Sequence, residues 1–166
     1  MTAQEQDQVF EQWMGEHQGI VYKVACSFAD SVPEQEDLAQ EIRLTLWESV
    51  LAFDGKSKSS TYCYRIALNR AISWQRSKKS YQKRMARFAA ETDEWVGPDK
   101  LDPRLSLIYE AIRTLNRAER SLILMYLDGF RYEEIAETLG LSLSNVGVRL
   151  TRIKSKLSQR LKGKQA

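Results

Sequence analysis

The sequence predicts an all-α protein, two small helical domains joined by a flexible linker, the second containing a helix-turn-helix. Three observations predict it. Apolar residues recur three and four apart through most of the 166 residues, and no stretch alternates as a half-buried strand does. Helix stop and start residues fall between those runs. Residues 89–103 (AAETDEWVGPDKLDP) turn abruptly acidic and collect two prolines and a glycine, the composition of a linker. The expected division is therefore 5–88, a linker at 89–103, and 104–163.

In chain order, residues 6–14 place Val9, Phe10, Trp13 and Met14 at helical spacing, and Gly15 to Gly19 reads as a break. A second helix then carries Ile20, Val21, Val24 and Phe28. The third, about 33–51, starts with Pro33 in its first turn and Glu34, Glu36 and Asp37 at its positive end. It has two apolar stripes. Leu38, Ile42, Leu46 and Val50 form one; Leu44, Trp47 and Leu51 form the other, which periodicity alone assigns to a core. A polar basic loop, KSKSST at 56–61, leads into a long helical run in which Tyr62, Tyr64 and Trp74 mix with Arg65, Arg70, Arg76, Lys78, Lys79, Lys83, Arg84 and Arg87. Such cations suit phosphates, and such aromatics suit stacking on exposed bases. Trp95 is unusual for a free linker and suggests docking.

The second domain opens at Pro103 with Leu105, Leu107, Ile108, Ala111, Ile112 and Leu115 on helical spacing. Asn116 and Glu119 form a capping-box pair for the next helix, which Asp128-Gly129 ends. Then comes RYEEIAETLGLSLSNVGVRLTRIKSK, residues 131–156. Ile135, Ala136 and Leu139 share one face, Gly140 is placed for a left-handed helix end, and Ser142 caps the following helix. That helix buries Val146, Leu150, Ile153 and Leu157 as one stripe. Its remaining positions carry Arg149, Arg152, Lys154 and Lys156, and no acid occurs from Leu143 to the end. These are the requirements of a helix-turn-helix whose second helix enters the major groove of DNA.

The net charge of +3 conceals alternating blocks: −9 over residues 1–54, +10 over 55–90, −5 over 91–142 and +7 over 143–166. Two acid-free runs imply two surfaces for a polyanion. No stretch approaches the ~20 apolar residues of a membrane span, the N-terminus is polar and acidic, and a cytoplasmic protein is expected. Cys26 and Cys63 with the lone His17 supply no evident metal site, and buried structural thiols are expected. There is no Gly-rich phosphate loop, HExxH or nucleophile elbow, and the adjacent Glu133-Glu134 pair points two ways on a helix. Neither an enzyme nor a cofactor is expected.

With both domains laid out, the chain resembles the extracytoplasmic-function (ECF) sigma factors of bacterial RNA polymerase, members of the sigma-70 family. Asp37-Leu38-Ala39-Gln40-Glu41 with Leu46-Trp47 resembles the helix that grips the polymerase β′ clamp. The resemblance makes Asp37, Gln40, Glu41 and Trp47 the contacts and turns the second apolar stripe into a partner surface. Ser59-Ser60-Thr61-Tyr62, leading into Arg65, Asn69, Arg70 and Arg76, is similar to the loop and helix that melt and hold the −10 promoter element. Ser59 and Tyr62 stand where the family commonly has Phe and Trp. Residues 115–157 resemble the −35 reading domain, which implies DNA contacts from Ser142, Ser144, Asn145, Gly147, Arg149, Arg152 and Lys156. Gly147 and Val148 stand where Lys and Ser are commonest. The implied partners are core RNA polymerase through its β′ and β subunits, promoter DNA and an anti-sigma factor. The rival reading is a dimeric helix-turn-helix regulator, against which the basic 55–90 block speaks.

Overall fold

The computed structural model describes residues 1–77 and 95–165. The cations Lys78, Lys79, Lys83, Arg84 and Arg87, and residues 89–94 of the expected linker, lie outside the described residues. The chain forms two compact units, Met1–Gly97 and Pro98–Ala166. Both are helical, and no strand occurs among the described residues.

The first unit packs three helices around one another. Helix α1, Ala3–Phe28, begins in a capping box between Thr2 and Glu5 and runs unbroken through Gly15 and Gly19. The expected break there does not occur. Both glycines face solvent, and each costs about 1 kcal/mol relative to alanine in a helix interior. Burial of Trp13, Ile20, Val21 and Val24 on the opposite side more than offsets that. Helix α2, Val32–Ser49, is capped by Ser31, carries Pro33 in its first turn, and ends in a 3-10 turn at Val50–Ala52. Leu38, Ile42, Leu46 and Val50 are buried, whereas Leu44 and Leu51 are 53% and 59% exposed. The second stripe is therefore not core. Helix α3, Ser59–Arg76, buries Cys63, Tyr64, Ala67, Ala71 and Trp74.

The last residues of this unit belong to the segment expected to be linker. Trp95 packs its ring on Tyr22 with centroids 5.1 Å apart. A Cβ on Gly97 would sit 2.7 Å from Val32 Cγ2, so any larger residue would displace this contact. Trp95, the one tryptophan of the expected linker, is thus docked on the first unit.

The second unit begins with a single helical turn, α4, Pro98–Leu101. Helix α5, Pro103–Arg113, is capped by Asp102, and α6, Arg117–Leu127, by the Asn116–Glu119 box that the sequence predicts. Helix α7, Tyr132–Leu139, ends at Gly140 with φ 68°, the left-handed region where glycine is favoured. Helix α8, Leu143–Gln165, follows, and the Ser142 hydroxyl accepts from the Asn145 backbone N–H at 3.2 Å as its cap. Ile112, Leu122, Met125, Ile135, Val146, Leu150 and Ile153 fill the core beneath these helices.

Candidate nucleic-acid interface

On α2, Asp37, Gln40, Glu41, Leu44, Trp47 and Glu48 fall within an arc of about 120° at 3.6 residues per turn, opposite the buried stripe. Burial, then the carboxylates of Glu36, Glu34 and Glu41, push the Asp37 carboxyl above its ordinary value. Trp47 is held from α1: its indole N–H donates to Asp7 Oδ1 at 2.8 Å, and its carbonyl accepts from Gln6 Nε2 at 2.8 Å. The arc thus offers acids around an apolar strip with one tryptophan fixed at its border. No sequence signal reveals Asp7 as the anchor, because 40 residues separate the pair.

Helix α3 sorts its predicted contacts into two groups. Arg65, Asn69 and Arg76, with Ser73, form one exposed stripe within about 80°. Arg70 lies about 140° from Arg65. Its Nη2 meets Glu41 Oε2 at 2.6 Å, with each side chain 29% exposed. Two residues expected to serve different partners are therefore paired with one another. Tyr62 also departs from expectation. It is 7% exposed, its hydroxyl donates to the Ser49 carbonyl at 3.0 Å, and its ring packs 4.8 Å from Phe53 and 5.7 Å from Trp13. Arg65 lies over that ring at 5.2 Å. Tyr62 presents no free face for a base to stack on; Tyr64 and Trp74 are buried too. Ser59 Oγ lies 2.8 Å from His17 Nε2, so the serine faces α1, while Ser60 and Thr61 are half-buried beside it.

In the second unit, α8 turns Ser144, Asn145, Arg149, Arg152 and Lys156 outward together. Asn145, Arg149, Arg152 and Lys156 are spaced four, three and four apart and so lie along one stripe. Arg149 and Arg152 are exposed; Lys156 Nζ pairs with Glu119 Oε1 at 2.6 Å. Burial opposes ionisation of Glu119, but hydrogen bonds from Lys156 and the Asn116 backbone, with the charges of Lys156 and Arg149, hold its carboxyl below the usual range. Lys154 is turned to Tyr126, its Nζ 2.8 Å from the hydroxyl. Gly147 sits on the flank towards α7, where a Cβ would meet Tyr132 Cε2 at 3.9 Å. Cys26 and Cys63 are free and buried, and burial, helped by Glu16, pushes the Cys63 thiol up to about 12. Among the described residues no group of acids, histidine and cysteines could hold a metal ion, and no helix is long and apolar enough to cross a membrane.

Comparison with known proteins gives this arrangement its family. Residues 13–81 match Sigma-70 region 2 and residues 105–157 match Sigma-70, region 4. The chain is 30% identical over 132 residues to RNA polymerase sigma factor YlaC of Bacillus subtilis (strain 168), covering 76% of each chain. It is 27% identical over 155 residues to the ECF RNA polymerase sigma factor SigW of the same organism, covering 86% of this chain and 83% of SigW. To the ECF sigma factor SigX of the same organism it is 27% identical over 122 residues, 68% of this chain and 63% of SigX. Two solved structures share the fold. One is the sigma factor RpoE in complex with the anti-sigma factor NepR from Bartonella quintana (TM-score 0.68, 23% identity, 92% of this chain and 96% of that one). The other is CnrH in complex with the cytosolic domain of CnrY (TM-score 0.66, 23% identity, 97% and 92%). Proteins of this family are in general not enzymes. With both sigma-70 regions in one chain, and with relatives that match across most of its length, the chain belongs to the RNA polymerase sigma factors, in their ECF group.

Proposed function

We propose that the chain binds core RNA polymerase and directs initiation at promoters by reading −35 and −10 elements. The observation that carries this is the outward face of α8, with Asn145, Arg149 and Arg152 exposed and acid-free, in the same chain as the acidic-apolar arc of α2. In this reading residues 5–88 bind polymerase and the −10 element, 89–103 link, and 104–163 bind the −35 element. Asp37, Gln40, Glu41 and Trp47 face the β′ clamp around Leu44. Arg65, Asn69 and Arg76 hold −10 phosphates, while Ser59, Ser60 and Thr61 border the pocket for an unpaired base and Tyr62 supports them from the core, packed on Phe53 and Trp13. Arg70 serves DNA only after leaving Glu41. On duplex −35 DNA, Ser142, Ser144, Asn145, Gly147, Arg149, Arg152 and Lys156 form the contact surface, with Lys156 on phosphate.

The protein performs no catalysis itself, works in the cytoplasm, and joins the nucleoid when in holoenzyme. The complex of the fold neighbour RpoE with the anti-sigma factor NepR supports an anti-sigma partner here as well. A dimeric regulator is not favoured, because a region 2 match has no place in it. Adding the purified chain to core polymerase on genomic DNA tests the proposal. Specific start sites that appear only with the chain are expected; initiation no different from core alone would overturn it.

A further inference from the structure

Val148 is the anomaly on the outward face of α8. It is 50% exposed, although Val146, Leu150 and Ile153 on the same helix are buried. Setting Ser144 at zero, Val148 lies at about 40° and Arg152 at about 80°, so the three form one stripe on successive turns. Leu143, the other exposed large apolar residue of α8, lies about 100° to the far side of Ser144, towards the buried stripe. Scattered exposed apolar residues are ordinary. This one stands in the middle of an acid-free polar face between a serine and an arginine. Gly147 beside it adds no side chain, and its flank faces Tyr132, so the two methyls of Val148 project past their neighbour.

In the function proposed above this face of α8 meets the major groove, and that setting limits what two methyl groups can recognise. Along the groove edge every base offers hydrogen-bond donors or acceptors, and thymine alone adds an apolar group, its C5-methyl. A valine offers no hydrogen bond. Against A, G or C it would desolvate polar edges without return, which discriminates against them. We infer that Val148 reads the C5-methyl of a thymine in the −35 element, one helical turn from the bases or phosphates met by Ser144 and Arg152.

The test uses holoenzyme made from the full chain, on a promoter identified by start-site mapping. Each −35 thymine, on either strand, is replaced in turn by deoxyuridine, which lacks only the methyl. At one position the replacement should weaken binding about three- to fivefold, the effect of exposing one buried methyl. Val148→Ser should bind thymine and deoxyuridine equally at that position, and Val148→Thr, which keeps one methyl, should still distinguish them. Thermal melting of both variants checks that the half-exposed site leaves the fold intact. Equal binding of thymine and deoxyuridine at every −35 position by the natural chain would overturn the assignment, as would a −35 element without thymine or a methyl effect that survives in Val148→Ser. If scrambling the whole −35 element changes nothing, α8 is not the −35 reader and the proposed function fails at that point; if scrambling matters and the methyl does not, only Val148 is misassigned.

Discussion

Asp37, a contact in the proposed clamp-binding face, has a carboxylate held against its own preference. Its carboxyl titrates above the ordinary 3.8 because burial and then Glu36, Glu34 and Glu41 disfavour its charge. A folded state that keeps the proton to higher pH is more stable below the unfolded value, and this contribution is lost as pH rises through the folded value. Asp37→Asn should therefore raise stability at neutral pH, by about 0.2–1 kcal/mol for a half-buried charge still screened by solvent, and weaken binding to core polymerase. Denaturant melts and a polymerase pull-down measure the two effects; loss of stability in the variant would mean that the carboxylate is held by contacts that matter more than the repulsion. Charge reversal at Asp37 is also cleaner than at Glu41, whose loss strips Arg70 of its partner. Cys63 gives a separate check. A thiol pushed up to about 12 is protonated at pH 8, so alkylation of the folded chain should be at least about 100-fold slower than of the unfolded chain. Rapid labelling of Cys63 in the folded chain would show that the site opens.

Gly147 and the two α1 glycines show what helices here tolerate. Gly147→Ala adds a methyl at ordinary contact distance from Tyr132 and should stabilise the second unit by up to about 1 kcal/mol, while changing promoter use if the glycine lies in the −35 contact surface. A more stable unit with unchanged promoter use would leave that glycine without a recognition role. Helix ends were readable because each end is a local reaction: Asn116 and Ser142 accept backbone N–H groups, and Gly140 adopts the left-handed conformation. The Gly15–Gly19 break was misread because glycine cost is small beside the burial of Trp13, Ile20 and Val24 on the far side. The α2 stripes were readable as stripes; which of them faces outward depended on α1 and α3 covering Leu38, Ile42 and Leu46. Arg149, Arg152 and Arg65 are exposed, because the apolar residues between them on each helix take up the buried side. Tyr62, Ser59 and Arg70 turned inward because their partners, Ser49, His17 and Glu41, lie 13 to 42 residues away. No local pattern encodes such pairs.

At the scale of the whole molecule, the first compact unit carries the acid-free run of +10 over residues 55–90 and the second the run of +7 over 143–166. Contacts from such cations are chiefly to phosphate, so each unit alone should bind DNA with little sequence preference and with strong salt dependence. Joining them makes the second contact intramolecular, at an effective concentration set by the chain between them. Fragments ending at Gly97 and starting at Pro98 keep each unit's contacts intact, including the Trp95–Tyr22 packing in the first. Both should melt cooperatively by circular dichroism. Supplied together with core polymerase, they should occupy a two-element promoter about 10²–10⁴ less well than the intact chain at equal concentration. The deficit should shrink as fragment concentration rises, because mass action replaces the missing tether. Fragments as active as the intact chain at low concentration would show instead that polymerase holds both units in place and that the covalent connection sets nothing but their stoichiometry.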